Sequence, residues 1–111
     1  MRESLSASHN RWGGLLLDIA ENQIYLAPLQ EGSYQPYDIS SIVDRVGAGD
    51  AFAAGLLHAL KSEKYAAPDR AIAFAVAASC LAHTVPGDIN LSTLSEIEAL
   101  VEGHATGRVV R

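Results

Sequence analysis

The stretch from residue 68 to residue 83, PDRAIAFAVAASCLAH, is apolar on nearly every face of the helix that it predicts. Pro68 suits the first helical position, and beyond Arg70 the stretch contains no acidic residue, lysine or arginine. Because such a helix has no face that prefers water, we expect it to be buried on more than one side. The chain therefore predicts a fold in which this helix lies inside the core.

The first part of the chain predicts strands. Residues 12–19 (WGGLLLDI) and 23–29 (QIYLAPL) are short apolar runs separated by a tight turn, which indicates a hairpin. Residues 32–36 are typical of a loop, and residues 37–43 (YDISSIV) predict a third strand that ends at Asp44.

Two further helices are predicted. From Asp50 onward Phe52, Leu56 and Leu60 recur at helical spacing, and Gly55 allows close approach to a neighbouring element. Near the C-terminus, Thr93 and Glu96 form a capping box before an apolar stripe, and Gly103 is a natural stop, so a third helix is expected there.

Composition excludes several classes of function. The 111 residues fit one domain, 49% are apolar, and no apolar segment is long enough to span a membrane. A net charge of −5 with eight Lys and Arg argues against a nucleic-acid surface. Met1 is followed by polar residues and no secretory signal, which predicts a cytoplasmic location.

Some residues with reactive side chains have plain structural interpretations. Cys80 lies among small apolar residues, so we expect a buried, inert thiol. His83 is expected to interact with the last carbonyls of its helix, and Trp12 to serve in packing. The four histidines have no metal-like spacing, so a zinc site is not expected.

The segment DRVGAGDAFAAG, residues 44–55, indicates an anion-binding turn. The backbone N–H groups of Gly47, Ala48 and Gly49 can point into one concavity, and the helix that follows adds its positive dipole end. The segment lacks the lysine of a P-loop, and Phe52 stands where a dinucleotide fingerprint requires its third glycine. A resting phosphate therefore does not fully explain the turn.

Two acidic residues flank this turn, and each has two interpretations. Asp50 could accept the proton of a hydroxyl group that attacks phosphorus while the amides stabilise the phosphoryl oxygens, or it could cap its helix. Asp44, at the end of the third predicted strand, could hold a cation or orient the loop, or it could be a solvated carboxylate.

The same segment resembles the C-terminal signature of the ribokinase-like (PfkB) carbohydrate kinases, D-[TP]-x-G-A-G-D-x-F-x-x-G. The matching positions are Asp44, Gly47, Ala48, Gly49, Asp50, Phe52 and Gly55. Further stretches (GGLLLD, FAVAASCLAHTVPGDINL and GRVVR) are similar to bacterial 2-dehydro-3-deoxygluconokinases. The resemblance implies that residues 1–111 are one C-terminal segment of the α/β, three-layer ribokinase-like fold, without its N-terminal half and β lid.

The resemblance also implies an activity, which is transfer of the γ-phosphate of ATP, with Mg²⁺, to a hydroxyl group of a sugar acid such as 2-dehydro-3-deoxy-D-gluconate. Asp50 is then the general base, Gly47, Ala48 and Gly49 form the anion hole, and Ala75 with Gly47 and Gly49 contacts the nucleotide. A monovalent cation such as K⁺ is implied at Asp44, Val46, Ala82, Val85, Gly87 and Leu91.

Because the part of such kinases that precedes this segment is absent from the chain, a second function stays open. The chain could be a non-catalytic remnant or nucleotide-binding fragment of a kinase. A parallel sheet edge and the apolar helix at 68–83 would then be uncovered, and we expect self-association through such apolar surface.

Overall fold

The computed structural model describes residues 2–4, 10–39, 47–83 and 94–103. Short strands occupy the first part of the chain and three helices the second. The elements are β1 (Arg2–Ser4), β2 (Asn10–Trp12), β3 (Gly14–Asp18), β4 (Gln23–Ala27), β5 (Leu29–Gln30), β6 (Ser33–Tyr34), β7 (Tyr37–Ile39), α1 (Ala48–Lys61), α2 (Pro68–Ala82) and α3 (Leu94–Gly103).

The predicted hairpin is confirmed as β3 and β4, which pair antiparallel with Leu15 opposite Leu26 and Leu17 opposite Ile24. The predicted first strand is divided at Gly13, so that Trp12 belongs to β2 instead. A side chain at position 13 would overlap the ring of Tyr34, which explains the glycine at this break.

The predicted loop at 32–36 is partly wrong, because Ser33 and Tyr34 pair with β5 in a second small hairpin. Its turn residues, Glu31 and Gly32, both have positive φ, 53° and 81°. A two-residue hairpin turn requires this conformation. The third predicted strand begins at Tyr37 as expected, and its residues beyond Ile39 lie outside the described part.

Strands β1, β2 and β7 form a three-stranded sheet in which both pairings are antiparallel. Every pairing among the described strands is antiparallel. The uncovered parallel sheet edge that we expected is therefore not among the described residues.

Helix α2 is buried along almost its whole length, as its composition predicts. It packs against α1, α3 and the β3–β4 hairpin. The expectation that this helix would be left uncovered is wrong, because elements of the same chain cover it. Its predicted start at Pro68 is confirmed, and His83 is its C-cap.

Helices α1 and α2 cross at Gly55, which confirms the predicted close approach. A β-carbon at this position would lie 3.0 Å from the Ala78 Cβ and 3.3 Å from the Ala75 Cα. Helix α3 buries Ile97 in the same core cluster as Ala59 of α1 and Ala78 of α2. Helix α3 is described as far as Gly103, and the predicted stop there stays a prediction, because the residues after it, like Thr93 of the expected capping box, lie outside the described residues.

Candidate active site

The N-terminus of α1 is fixed by Gly47, whose backbone lies in the left-handed region at φ 90° and ψ −7°. A β-carbon is disfavoured there, so the position favours glycine. The Gly47 carbonyl accepts the first helical hydrogen bond from the Ala51 N–H at 2.8 Å. The N–H groups of Gly47, Ala48, Gly49 and Asp50 come before that bond and have no partner within the helix. They form a row of donors at the positive end of the helix dipole.

Asp50 is the third residue of α1, and its side chain is exposed. The interpretation of Asp50 as the helix cap is wrong, because the N-cap residue is Gly47 and the cap has no side-chain hydrogen bond. Helix α1 begins at Ala48, two residues before Asp50, where the apolar spacing predicts its start. A carboxylate in the first turn is still favoured by the helix dipole. The carboxylate thus stands beside N–H groups that have no helical partner, and it is open to solvent.

Gly49, the second residue of α1, has no packing reason to be a glycine. A β-carbon there would meet no atom of the described residues within 4 Å, and the residue is exposed. Its φ is not among the positive values that favour glycine. Glycine inside a helix costs about 1 kcal/mol relative to alanine. The missing side chain leaves space for another molecule to approach the backbone of the first turn.

Two clefts flank the first half of α1. One, of about 300 Å³, is lined by Trp12, Gly14, Leu15, Gly49 and Phe52. The other, of about 220 Å³, is lined by Ala51, Ala54, Gly55, His58, Phe74, Ala78, Leu94 and Ile97. In the second cleft the rings of His58 and Phe74 are stacked with centroids 5.3 Å apart. Both clefts are mostly apolar and both begin within the first turn of α1.

The other predicted site residues are dispersed. Ala75 is fully buried at the crossing of α1 and α2, and Ala82 is buried in the last turn of α2. Their proposed contacts with a nucleotide and a cation stay predictions. The remaining predicted cation residues, Asp44, Val46, Val85, Gly87 and Leu91, lie outside the described residues.

A buried polar cluster joins the end of α2 to the sheet. The Nη2 of Arg2 lies 2.9 Å from the Nε2 of His83, and the Nδ1 of His83 lies 2.8 Å from the carbonyl oxygen of Ser79. Because a guanidinium group can only donate, Nε2 accepts and Nδ1 carries the hydrogen. The ring of His83 is therefore bonded to a helix-end carbonyl, which confirms the sequence-based prediction.

Trp12 has more partners in this cluster than packing alone predicts. Its ring lies edge-on to His83, with centroids 4.9 Å apart, and the Arg2 guanidinium lies 4.7 Å above it. Its indole N–H donates to Ser79 Oγ at 2.6 Å. The sequence gives little signal of these contacts because the partners are distant along the chain.

Cys80 is fully buried in α2, and this burial raises the pKa of its thiol far above the ordinary value of about 9. The thiolate is the reactive form of cysteine, and a raised pKa keeps the thiol protonated, so the prediction of an inert thiol is confirmed. The described residues contain no group of three or more His, Cys, Asp or Glu that could hold a metal ion. Among the described helices, none has the length and apolarity needed to cross a membrane.

A comparison with protein families identifies the origin of this segment. The model of the pfkB family carbohydrate kinases matches residues 22–95, which is more than half of the chain. The chain belongs to the pfkB family. The match includes all of α1 and α2 and the start of α3. No curated protein matches the chain significantly.

Solved structures of pfkB kinases share this fold. A PfkB family carbohydrate kinase from Listeria grayi is 33% identical with a TM-score of 0.78, over 92% of this chain and 28% of that one. A 2-dehydro-3-deoxygluconokinase from Thermotoga maritima is 38% identical with a TM-score of 0.76, over 93% of this chain and 28% of that one. The implied α/β fold of these kinases is thus confirmed, and the chain spans a little over a quarter of their length.

Proposed function

We propose that the chain is the anion-binding and general-base segment of a kinase that transfers the γ-phosphate of ATP to a hydroxyl group of 2-dehydro-3-deoxy-D-gluconate. The observation that carries this proposal is the first turn of α1. Donors without a helical partner surround Gly49, and the exposed carboxylate of Asp50 stands directly beside them. Membership of the pfkB family supports the reaction class.

The N–H groups of Gly47, Ala48 and Gly49 act as the anion hole. During transfer, the phosphoryl group spreads negative charge over its oxygens, and fixed N–H donors stabilise that charge without reorganising. The open space at Gly49 lets the oxygens reach the backbone. Gly47 and Gly49 also contact the terminal phosphates of the bound nucleotide.

Asp50 acts as the general base. Its carboxylate accepts the proton of the sugar hydroxyl as the oxygen attacks phosphorus. Its exposed side chain leaves it free to face an acceptor, whereas a buried acid would be out of reach.

The nucleoside base occupies the cleft beside His58 and Phe74. An aromatic base is flat and apolar on its faces, as are the stacked rings that line this cleft. Ala75 lies behind the lining of this cleft, because it packs beneath Gly55 and adjoins Phe74 along α2. Its small side chain allows α1 and α2 to approach closely.

Two cations belong to the proposed function. Mg²⁺ bound to a nucleotide needs only one or two protein carboxylates, and Asp44 is the proposed one. This ion would neutralise part of the charge on the phosphates. A monovalent cation such as K⁺ would take oxygen ligands at Asp44, Val46, Ala82, Val85, Gly87 and Leu91. The Ala82 carbonyl suits this role, because it belongs to the last turn of α2, where carbonyls lack helical donors.

The sugar acid is proposed from the 38% identity with the Thermotoga maritima 2-dehydro-3-deoxygluconokinase. A second candidate function is nucleotide binding without catalysis. It is favoured by the observation that the chain spans 28% of that kinase.

A chimeric enzyme tests the proposal. The matched segment of the Thermotoga maritima kinase is replaced by this chain, and ATP-dependent phosphorylation of 2-dehydro-3-deoxygluconate is measured. We expect activity that falls at least ~100-fold in Asp50→Asn, as loss of a general base predicts, with little change in KM for ATP. Asp69→Asn is the matched control, since Asp69 is an exposed acid in the first turn of α2. A folded chimera that binds ATP without turnover would favour the second candidate.

A further inference from the structure

A polar cluster ties α3 to the loop between α1 and α2. The Nζ of Lys64 in this loop donates to Glu98 Oε2 at 2.9 Å and to Glu102 Oε1 at 3.4 Å. The hydroxyl group of Tyr65 donates to the same oxygen of Glu98 at 3.1 Å. Glu98 of α3 therefore receives two donors from the loop. We use "Glu98 cluster" for Lys64, Tyr65 and Glu98.

The Glu98 cluster is more than a surface ion pair. Exposed ion pairs contribute little, because water and salt compete for both charges, and the contact of Lys64 with the 66% exposed side chain of Glu102 is of that kind. The Glu98 side chain is 29% exposed, and Tyr65 is buried in the core at 4%. Hydrogen bonds from Lys64 and then from Tyr65 lower the pKa of the Glu98 carboxyl below its ordinary value. The carboxylate is thus held at the edge of the core.

Tyr65 extends the contact from Glu98 to the cleft beside His58. The rings of Tyr65 and Phe74 lie with centroids 4.9 Å apart, and Phe74 in turn stacks on His58 at 5.3 Å. Tyr65 and Phe74 belong to one buried core cluster, and a close-packed core transmits a displacement of one ring to the next. The position of Tyr65 therefore affects the ring pair that lines the cleft.

Glu98 also fixes the wall that α3 contributes to this cleft. Leu94 and Ile97 line the cleft, and Glu98 follows Ile97 directly and Leu94 by four residues. Side chains four residues apart on a helix are neighbours on its surface. A shift of α3 that separates Glu98 from Tyr65 therefore changes the position of Leu94 and Ile97 relative to His58.

We propose that Glu98 is a positioning residue for the nucleoside base of ATP, because it holds the walls of the cleft beside His58 at a fixed spacing. The inference rests on the proposed function, which assigns this cleft to the base. Glu98 does not line the cleft and acts through Tyr65 and through its own helix. Walls that are already ordered bind a flat base more tightly, since less conformational entropy is lost on binding. Loss of Glu98 should therefore weaken ATP binding and leave the chemical step unchanged.

The chimeric kinase tests the inference through the separation of ATP affinity from kcat. Calorimetry gives the Kd for ATP, and steady-state kinetics give kcat and the KM of each substrate. Glu98→Gln removes the charge of Glu98, and Tyr65→Phe removes the hydroxyl group but keeps the ring. Glu63→Gln is the matched control, because Glu63 is an exposed acid next to Lys64 in the same loop and is not bonded to the Glu98 cluster.

We expect the Kd and KM for ATP to rise at least ~3-fold in Glu98→Gln and in Tyr65→Phe, with kcat and the KM for the sugar acid unchanged. The double variant should lose little more affinity than either single variant, since both changes break one contact. Lys64→Met should weaken ATP binding as Glu98→Gln does, and Lys64→Arg should restore it, because a guanidinium group also donates to carboxylates.

Unchanged ATP affinity in Glu98→Gln and Tyr65→Phe would overturn the inference. An equal loss of affinity in Glu63→Gln would overturn it as well, because the effect would then follow net charge and not the Glu98 cluster. A fall in kcat with unchanged ATP affinity would show that the cluster only stabilises the fold, and this result would also contradict the inference.

A second measurement uses the 111-residue chain without nucleotide. The His58 ring is stacked on Phe74, so the NMR chemical shifts of its ring protons report the geometry of this pair. These shifts should move in Glu98→Gln and Tyr65→Phe and stay in place in Glu63→Gln. Shifts that do not move would overturn the inference alone. Shifts that move, together with a wild-type chimera that binds no ATP, would refute the proposed function and with it the role of Glu98 in ATP binding, while the contact from Glu98 to His58 would stand.

Discussion

The indole N–H of Trp12 donates a hydrogen bond to the Oγ of Ser79 at 2.6 Å, between residues 67 positions apart in the chain. The Ser79 hydroxyl in turn donates to the Val76 carbonyl at 2.9 Å, so its lone pairs stay available to Trp12. This bond ties β2 to the fully buried part of α2. It is a polar contact that holds the small sheet in place over the helices.

Loss of this bond should destabilise the chain. Ser79→Ala leaves the Trp12 N–H without its acceptor in a part-buried site, which should cost about 1–2 kcal/mol of unfolding free energy. Urea unfolding followed by circular dichroism measures the loss. In a double-mutant cycle with Trp12→Phe, the coupling should be close to the Ser79→Ala loss, and additive effects would show that the bond contributes no stability.

The two glycines of α1 should respond in opposite ways to alanine. Gly55→Ala presses a methyl group against Ala78 and Ala75, so we expect a loss of about 1–3 kcal/mol from overpacking. The methyl group of Gly49→Ala would meet no atom in the described part of the chain, so this change should raise stability by up to about 1 kcal/mol through helix propensity. Thermal unfolding of the two variants provides the comparison, and a loss at both positions would contradict it.

The same Gly49→Ala change should impair catalysis in the chimeric kinase while it stabilises the fold. The new methyl group would occupy the space through which the phosphoryl oxygens reach the amides, so kcat should fall about 10-fold or more. Steady-state kinetics alongside the Tm separates the two effects. Unchanged kcat would exclude close approach of the phosphoryl group at Gly49.

Asp50→Asn should change the unfolding free energy of the 111-residue chain only slightly. The side chain makes no cap bond, so only its interaction with the helix dipole is lost, about 0.3–1 kcal/mol. Asp69→Asn removes an equivalent charge from α2 and should cost a similar amount. A much larger loss at Asp50 in chemical unfolding would indicate a structural role instead of a chemical one.

Burial of Cys80 predicts a pH dependence of stability. The pKa of this thiol is raised in the folded state, so above pH 9 the unfolded chain loses a proton that the folded chain keeps. The unfolded chain then binds fewer protons, and stability falls as pH rises through that range. The unfolding midpoint should drop between pH 8.5 and about 10, and less so in Cys80→Ala. An equal drop in both proteins would assign the effect to other groups.

Local patterns predicted much of the fold. The burial of α2, the hairpin turn and the close contact at Gly55 follow from periodicity and residue size within short segments. Strands β5 and β6 were missed because two residues leave no alternation to detect. The earlier start of α1 depends on the left-handed backbone of Gly47.

The site could be predicted only in part. The motif identified the N-terminus of α1, because the glycines and Asp50 are adjacent in sequence. The bond between Arg2 and His83 joins residues 81 positions apart, and no local signal marks it. The open space at Gly49 is a property of tertiary packing, so the sequence alone does not distinguish it from the crowded Gly55.

Gly49 also bears on how selection acts on this chain. Alanine at this position would give a more stable helix, and codons for glycine and alanine differ by one base. Under the proposed function, a lineage that no longer bound phosphate would gain stability from that single mutation and lose nothing. Replacement of Gly49 by alanine in a related chain would therefore be an early mark of lost kinase activity, visible before any change at Asp50.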